Sequence, residues 1–87
     1  RELAIVRRRV PEAQDALAAQ LVAFVQSVRA LDLRKTPSVA ETLDWARSLV
    51  LLGAEALDPA LVRDTLGVLA KHREDAERIE ATLHPHL

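Results

Sequence analysis

A serine at position 38 and a glutamate at position 41, placed just ahead of an apolar run, constrain this chain more than any other feature. In residues 36–52, TPSVAETLDWARSLVLL, that spacing is a capping box: the Ser38 hydroxyl accepts from the Glu41 backbone N–H, and the Glu41 carboxylate accepts from the Ser38 N–H. Pro37 keeps any upstream helix from running through. At 100° per residue, Val39, Leu43, Ala46 and Val50 share one face, widened by Trp45, Leu49 and Leu52, while Glu41, Asp44, Arg47 and Ser48 fall opposite. The helix so defined has about half its circumference to bury. The rest of the chain must supply its packing partners.

Those partners are expected to be helices. Phe24 and Trp45 are the only aromatic residues among 87, and there are two glycines, so Leu, Val and Ala must fill the core. The reading is a single all-α domain over residues 1–87, a small four-helix bundle with helices at about 2–9, 11–31, 38–52 and 59–82. Leu3, Val6 and Val10 turn the first helix inward and leave Arg1, Glu2, Arg8 and Arg9 outside. The triplet Arg7, Arg8 and Arg9 is either a phosphate-binding patch or, as favoured here, a solvated face at the negative end of the helix dipole. In the second helix Leu17, Leu21, Phe24, Val28 and Leu31 face the core. Pro11 suits its first turn, and Gln14, Gln20, Gln26 and Arg29 form its wet side. Residues 32–36, DLRKT, carry Arg34 and Lys35 as a loop into the capped helix. Gly53 ends that helix, and Asp58 followed by Pro59 caps the last, with a Leu57 to Val62 staple. Val62, Leu66, Leu69, Ala76, Ile79 and Leu83 make its inward stripe. KHREDAERIE, residues 71–80, is charged enough to project beyond the bundle, and Gly67 in a helix interior implies close approach of a neighbour.

Several function classes are disfavoured. A net charge of −1 gives no reason to expect nucleic acid as a partner. Without cysteine there is no disulfide, thiolate zinc site or thiol nucleophile, which is compatible with a cytoplasmic location. No run approaches the roughly 18 apolar residues of a membrane span, and no signal peptide is visible at Arg1 and Glu2. His72, His84 and His86 do not have the spacing of a metal site. Glu74, Asp75, Glu77 and Glu80 read as surface carboxylates paired with Arg73 and Arg78. There is no GxxxxGK[ST] phosphate loop and no complete active site, so no catalytic or metal-binding residue is assigned. The first residue is not methionine, and the chain is expected to be a fragment of a longer one.

Taken together, four pieces resemble the C-terminal helical lid of AAA+ ATPases of the MoxR family, in the branch associated with von Willebrand A-domain proteins. They are RELAIVRRRVPEA, LVAFVQSVRALDL, KTPSVAETLDWARSLVLLG and LDPALVRDTLGVLAKHRED, and they cover nearly all of the chain. The resemblance implies a four-helix lid that closes over ATP and magnesium held by an upstream core domain and passes the motion to neighbouring subunits of a hexameric ring. The parent would be a chaperone-like or metalloenzyme-maturation ATPase with a von Willebrand A-domain partner; the fragment itself would not be an enzyme and would hold no cofactor tightly. It also implies that the helix start, Ser38, Val39, Ala40 and Glu41, faces the nucleotide. The sensor-2 position, commonly arginine in such lids, falls on Ala40. Arg34 and Lys35 in the preceding loop are the candidate substitutes, unless the branch manages without one. The rival expectation is a free-standing helical protein-interaction module with no nucleotide role.

Overall fold

The computed structural model describes residues 1–83, which form five helices: α1 (Glu2–Arg9), α2 (Asp15–Arg29), α3 (Val39–Leu51), α4 (Pro59–Leu69) and α5 (Arg73–Ala81). There is no strand among the described residues. The all-α reading holds, and the helix count of four is corrected to five. Helix α3 is the hub, packing against α1, α2 and α4, while α1 also lies on α2 and α5 on α4.

Trp45 is fully buried on α3, together with Leu17 and Leu21 of α2, Leu49 of α3, Leu69 of α4 and Ile79 of α5. The Phe24 ring lies 5.6 Å from the Trp45 ring, tilted by 43°, within the range of favourable aromatic pairs. Trp45 is shared between α2 and α4, for its Nε1–H donates to Thr65 Oγ1 at 2.7 Å. The Thr65 hydroxyl in turn donates to the Leu61 carbonyl at 2.9 Å. The one polar atom of the indole is thereby satisfied in the core.

Local chemistry sets three of the helix ends. Both halves of the Ser38–Glu41 capping box are present. Asp58 accepts from the Leu61 N–H at 2.9 Å, with Pro59 in the first turn where its missing N–H costs nothing. Gly53 adopts φ +75, and the Gly53 and Ala54 N–H groups donate to the Val50 and Leu49 carbonyls at 2.9 and 3.0 Å. That is a Schellman end, which needs a residue free to turn left-handed.

Two boundaries differ from expectation. Helix α2 begins at Asp15, not at Pro11, because α1 packs directly on α2 and the chain must reverse between them. Residues 10–14 make that reversal, with the Ala13 N–H on the Val10 carbonyl at 3.1 Å and both side chains buried. The last helix is broken between Leu69 and Arg73, where Ala70 and His72 are extended. A continuous helix over residues 59–82 would span about 36 Å at 1.5 Å per residue, longer than the 31 Å longest extent of the molecule. The break folds α5 back so that Ile79 enters the core, and the charged stretch does not project away. Three smaller expectations also fail. Gly67 has nothing within 4 Å of where a Cβ would sit, so no helix approaches it closely. Val39 and Leu52, assigned inward, are 40% and 62% exposed, one in the first turn of α3 and the other beyond its last turn, where no neighbouring helix covers them.

Candidate functional site

The start of α3 is built from three directions. From α2 comes Arg29, whose Nε–H donates to the Pro37 carbonyl at 2.9 Å and whose Nη1 and Nη2 grip the Glu2 carboxylate at 2.6 and 2.7 Å. Its Nη2 also reaches Thr42 Oγ1 at 3.3 Å, and that hydroxyl donates to the Ser38 carbonyl at 3.1 Å. One guanidinium thus joins the first turn of α1, the last turn of α2 and the first turn of α3. Glu2 and Arg29, both read from sequence as solvent-facing, are corrected to a largely buried, fork-to-fork pair. The Arg29 hydrogen bonds hold the Glu2 carboxyl below its ordinary value even though burial opposes this. A signal existed: Glu2 shares a stripe with Val6 and Val10 at i, i+4 and i+8, and Arg29 shares one with Val22 and Val25.

The second support is the cap. The Ser38 N–H donates to Glu41 Oε1 at 2.9 Å, and the Glu41 N–H donates to Ser38 Oγ at 3.1 Å. The Ser38 N–H lowers the Glu41 pKa most, burial opposes it, and Lys35 adds to the lowering, with Nζ at 3.3 Å from Oε1.

The third support comes from α5. Asp75, read as a surface carboxylate paired within its own helix, is 2% exposed and accepts the Arg34 N–H at 2.8 Å and the Lys35 N–H at 3.0 Å. Burial pushes its pKa up, and these two donors, with the charges of His72 and Arg34, outweigh that and leave it below the ordinary value. Glu74 pairs with Arg34 at 3.2 Å, and Glu80 with Arg63 at 3.8 Å, so Glu74, Asp75 and Glu80 serve contacts between elements, not pairs with Arg73 and Arg78, and Glu77 is exposed.

Six residues were singled out from sequence. Lys35, Ser38 and Glu41 are brought into direct contact, and Val39 and Ala40 lie exposed beside them. The Arg34 side chain turns instead toward α5. The capping box uses the Ser38 and Glu41 N–H groups, and the Val39 and Ala40 N–H groups have no acceptor among the described residues. This surface can therefore offer two backbone donors, the positive end of a helix dipole and the Lys35 ammonium to an anion. Glu41 already neutralises part of that charge.

Elsewhere, a groove of about 370 Å³ is lined by Arg9, Val10, Glu12, Arg47, Val50 and Leu51. Leu51 in that lining is 86% exposed. Among the described residues no three His, Cys, Asp or Glu converge as metal ligands; His72 is half-buried, and His84 and His86 lie outside the described residues. No described helix is long and apolar enough to cross a membrane. No family model, curated protein or solved structure matches the chain.

Proposed function

We propose that this chain is the helical lid of a MoxR-type AAA+ ATPase, with the α3 start facing a nucleotide and magnesium held by an upstream core domain. The observation that carries the reading is the exposed α3 start, where two adjacent N–H groups have no acceptor among the described residues and Lys35 lies nearby. The lid performs no chemistry of its own. It adds a polar, dipole-bearing surface over the phosphates and relays nucleotide state to neighbouring subunits of a cytoplasmic hexameric ring, whose parent ATPase remodels a client with a von Willebrand A-domain partner. Ala40 takes the sensor-2 position without a cation. Of the two substitutes, Lys35 is the better placed, since Arg34 is directed to Glu74.

The test is Ala40→Arg in the assembled ATPase. Ala40 is exposed in the first turn, so the fold tolerates the change, and an added cation there alters ATP affinity or turnover. Unchanged affinity and turnover leave the helix start as a cap only. Residues 1–87 alone neither hydrolyse ATP nor bind it tightly, because one helix start cannot replace a phosphate loop and magnesium; calorimetry and phosphate release measure both. Submicromolar ATP binding or magnesium-dependent turnover by the chain alone overturns the lid reading.

A second reading, a helical interaction module without a nucleotide role, is favoured by the exposed Leu51, which lines the groove, and the exposed Leu52 next to it in the chain. The coding sequence ahead of Arg1 separates the two. A GxxxxGK[ST] loop followed by an acidic strand supports the lid, and its absence supports the module.

A further inference from the structure

We propose that Asp75 is the positioning residue for Arg34 and Lys35, and that through it α5 sets the geometry of the surface beside the α3 start. What that surface does rests on the lid reading; the latch itself rests on geometry. The N–H groups of Arg34 and Lys35, consecutive in the chain, converge on the two oxygens of one carboxylate at 2.8 and 3.0 Å. Successive N–H groups aimed at one point form a small anion-binding concavity, and here the chain fills it with its own carboxylate. Since Asp75 is 2% exposed, water is a poor replacement partner for the carboxylate.

The side chains of the same two residues diverge. Arg34 pairs with Glu74 on α5, and Lys35 pairs with Glu41 on α3. The segment is thus clamped by its backbone to one helix and by the Lys35 ammonium to another. Among the described residues its other backbone hydrogen bonds are two, the Leu33 N–H on the Leu31 carbonyl and the Pro37 carbonyl accepting from Arg29, while Leu33 packs on the core and Pro37 is buried on either side of the Arg34 and Lys35 pair. The place of Lys35 relative to the Ser38 cap therefore follows α5, an element 40 residues further along the chain. Whatever shifts α5 shifts the cation beside the helix start.

Amide hydrogen exchange of the 87-residue chain, read residue by residue by NMR, tests the latch. Asp75→Asn speeds exchange of the Arg34 and Lys35 amides ~10-fold or more, the scale of losing a charged acceptor, while the core amides of Leu21 and Leu49 keep their rates. Glu74→Gln leaves both loop amides unchanged. A uniform rise across the chain marks Asp75 as merely structural, and unaltered loop amides remove its role; either result overturns the proposal. If Asp75→Asn does not fold, the wild-type chain gives the answer: on acidification the two amide shifts follow the Asp75 carboxyl carbon with one midpoint, and differing midpoints overturn the latch. Asp75→Asn in the assembled ATPase then separates the two readings. Released amides with a several-fold change in ATP affinity support both. Released amides with unchanged affinity keep the latch and remove the nucleotide-facing role.

Discussion

Trp45 is where a single side chain decides most about this molecule, because it is the largest group in a core otherwise made of aliphatic residues. Trp45→Ala costs about 3 to 5 kcal/mol and is enough to unfold a domain of this size. In the wild-type chain a blue-shifted tryptophan emission, poorly quenched by acrylamide, is the expected outcome, and a red-shifted, freely quenched emission contradicts this burial. Thr65→Val keeps the shape but strands the indole N–H, at a cost of about 1 to 3 kcal/mol, visible as a lowered urea midpoint with unchanged slope. Gly67 works in the opposite direction. With open space where a Cβ would sit, Gly67→Ala raises stability by about 0.5 to 1 kcal/mol, measured by the same unfolding curves. The burial of Trp45 was legible in the sequence because it sits on the apolar face of its own helix. Glu2, Arg29 and Asp75 were misread because each finds its partner on another element, 27 to 41 residues away, where helical periodicity has no reach.

Among the elements, α3 was the most legible and the α4–α5 pair the least. A capping box, an Asp-Pro start and a glycine end act over three or four residues, so their chemistry is readable wherever they occur. Ser38→Ala removes one such cap and lowers stability by about 0.5 to 2 kcal/mol, while circular dichroism at low temperature stays helical. The break after Leu69 carries no proline or glycine. It lets α5 fold back so that Ile79 is buried and Asp75 reaches the Arg34 and Lys35 backbone, contacts that no local pattern records. The late start of α2 has the same origin, since the reversal demanded by α1 uses the residues that could have formed its first turn. The candidate site was half legible for this reason: Ser38 and Glu41 were found with their contacts, Lys35 was found without its partner, and the support from α2 and α5 was not seen.

At the scale of the whole molecule, carboxylates with lowered pKa values tie the elements together, and this gives stability a direction in pH. Glu2 and Glu41 hold their protons less tightly folded than unfolded, so acid favours unfolding. Their contribution is complete above the ordinary carboxylate value of 4.5 and is lost as pH falls through the lower folded values. Urea midpoints taken at intervals from neutral to strongly acidic pH drop in that window. Glu2→Gln costs about 1 to 3 kcal/mol at neutral pH, moderated by the partial exposure of Arg29, and makes the acid drop shallower. A variant that keeps the wild-type slope shows that the pair does not carry the dependence.

The meeting of three helix ends at the Arg29 guanidinium also fixes where the molecule can be cut. A truncation that starts at Ala13 looks harmless in sequence, since it removes only a short, arginine-rich helix. It would remove the Glu2 carboxylate that Arg29 grips and would strip Val6 and Val10 from the core, opening the apolar faces of α2 and α3 to water. A chain cut at Ala13 is therefore expected to lose its cooperative unfolding transition, whereas one that begins ahead of Glu2 keeps it, as urea titration of the two would measure.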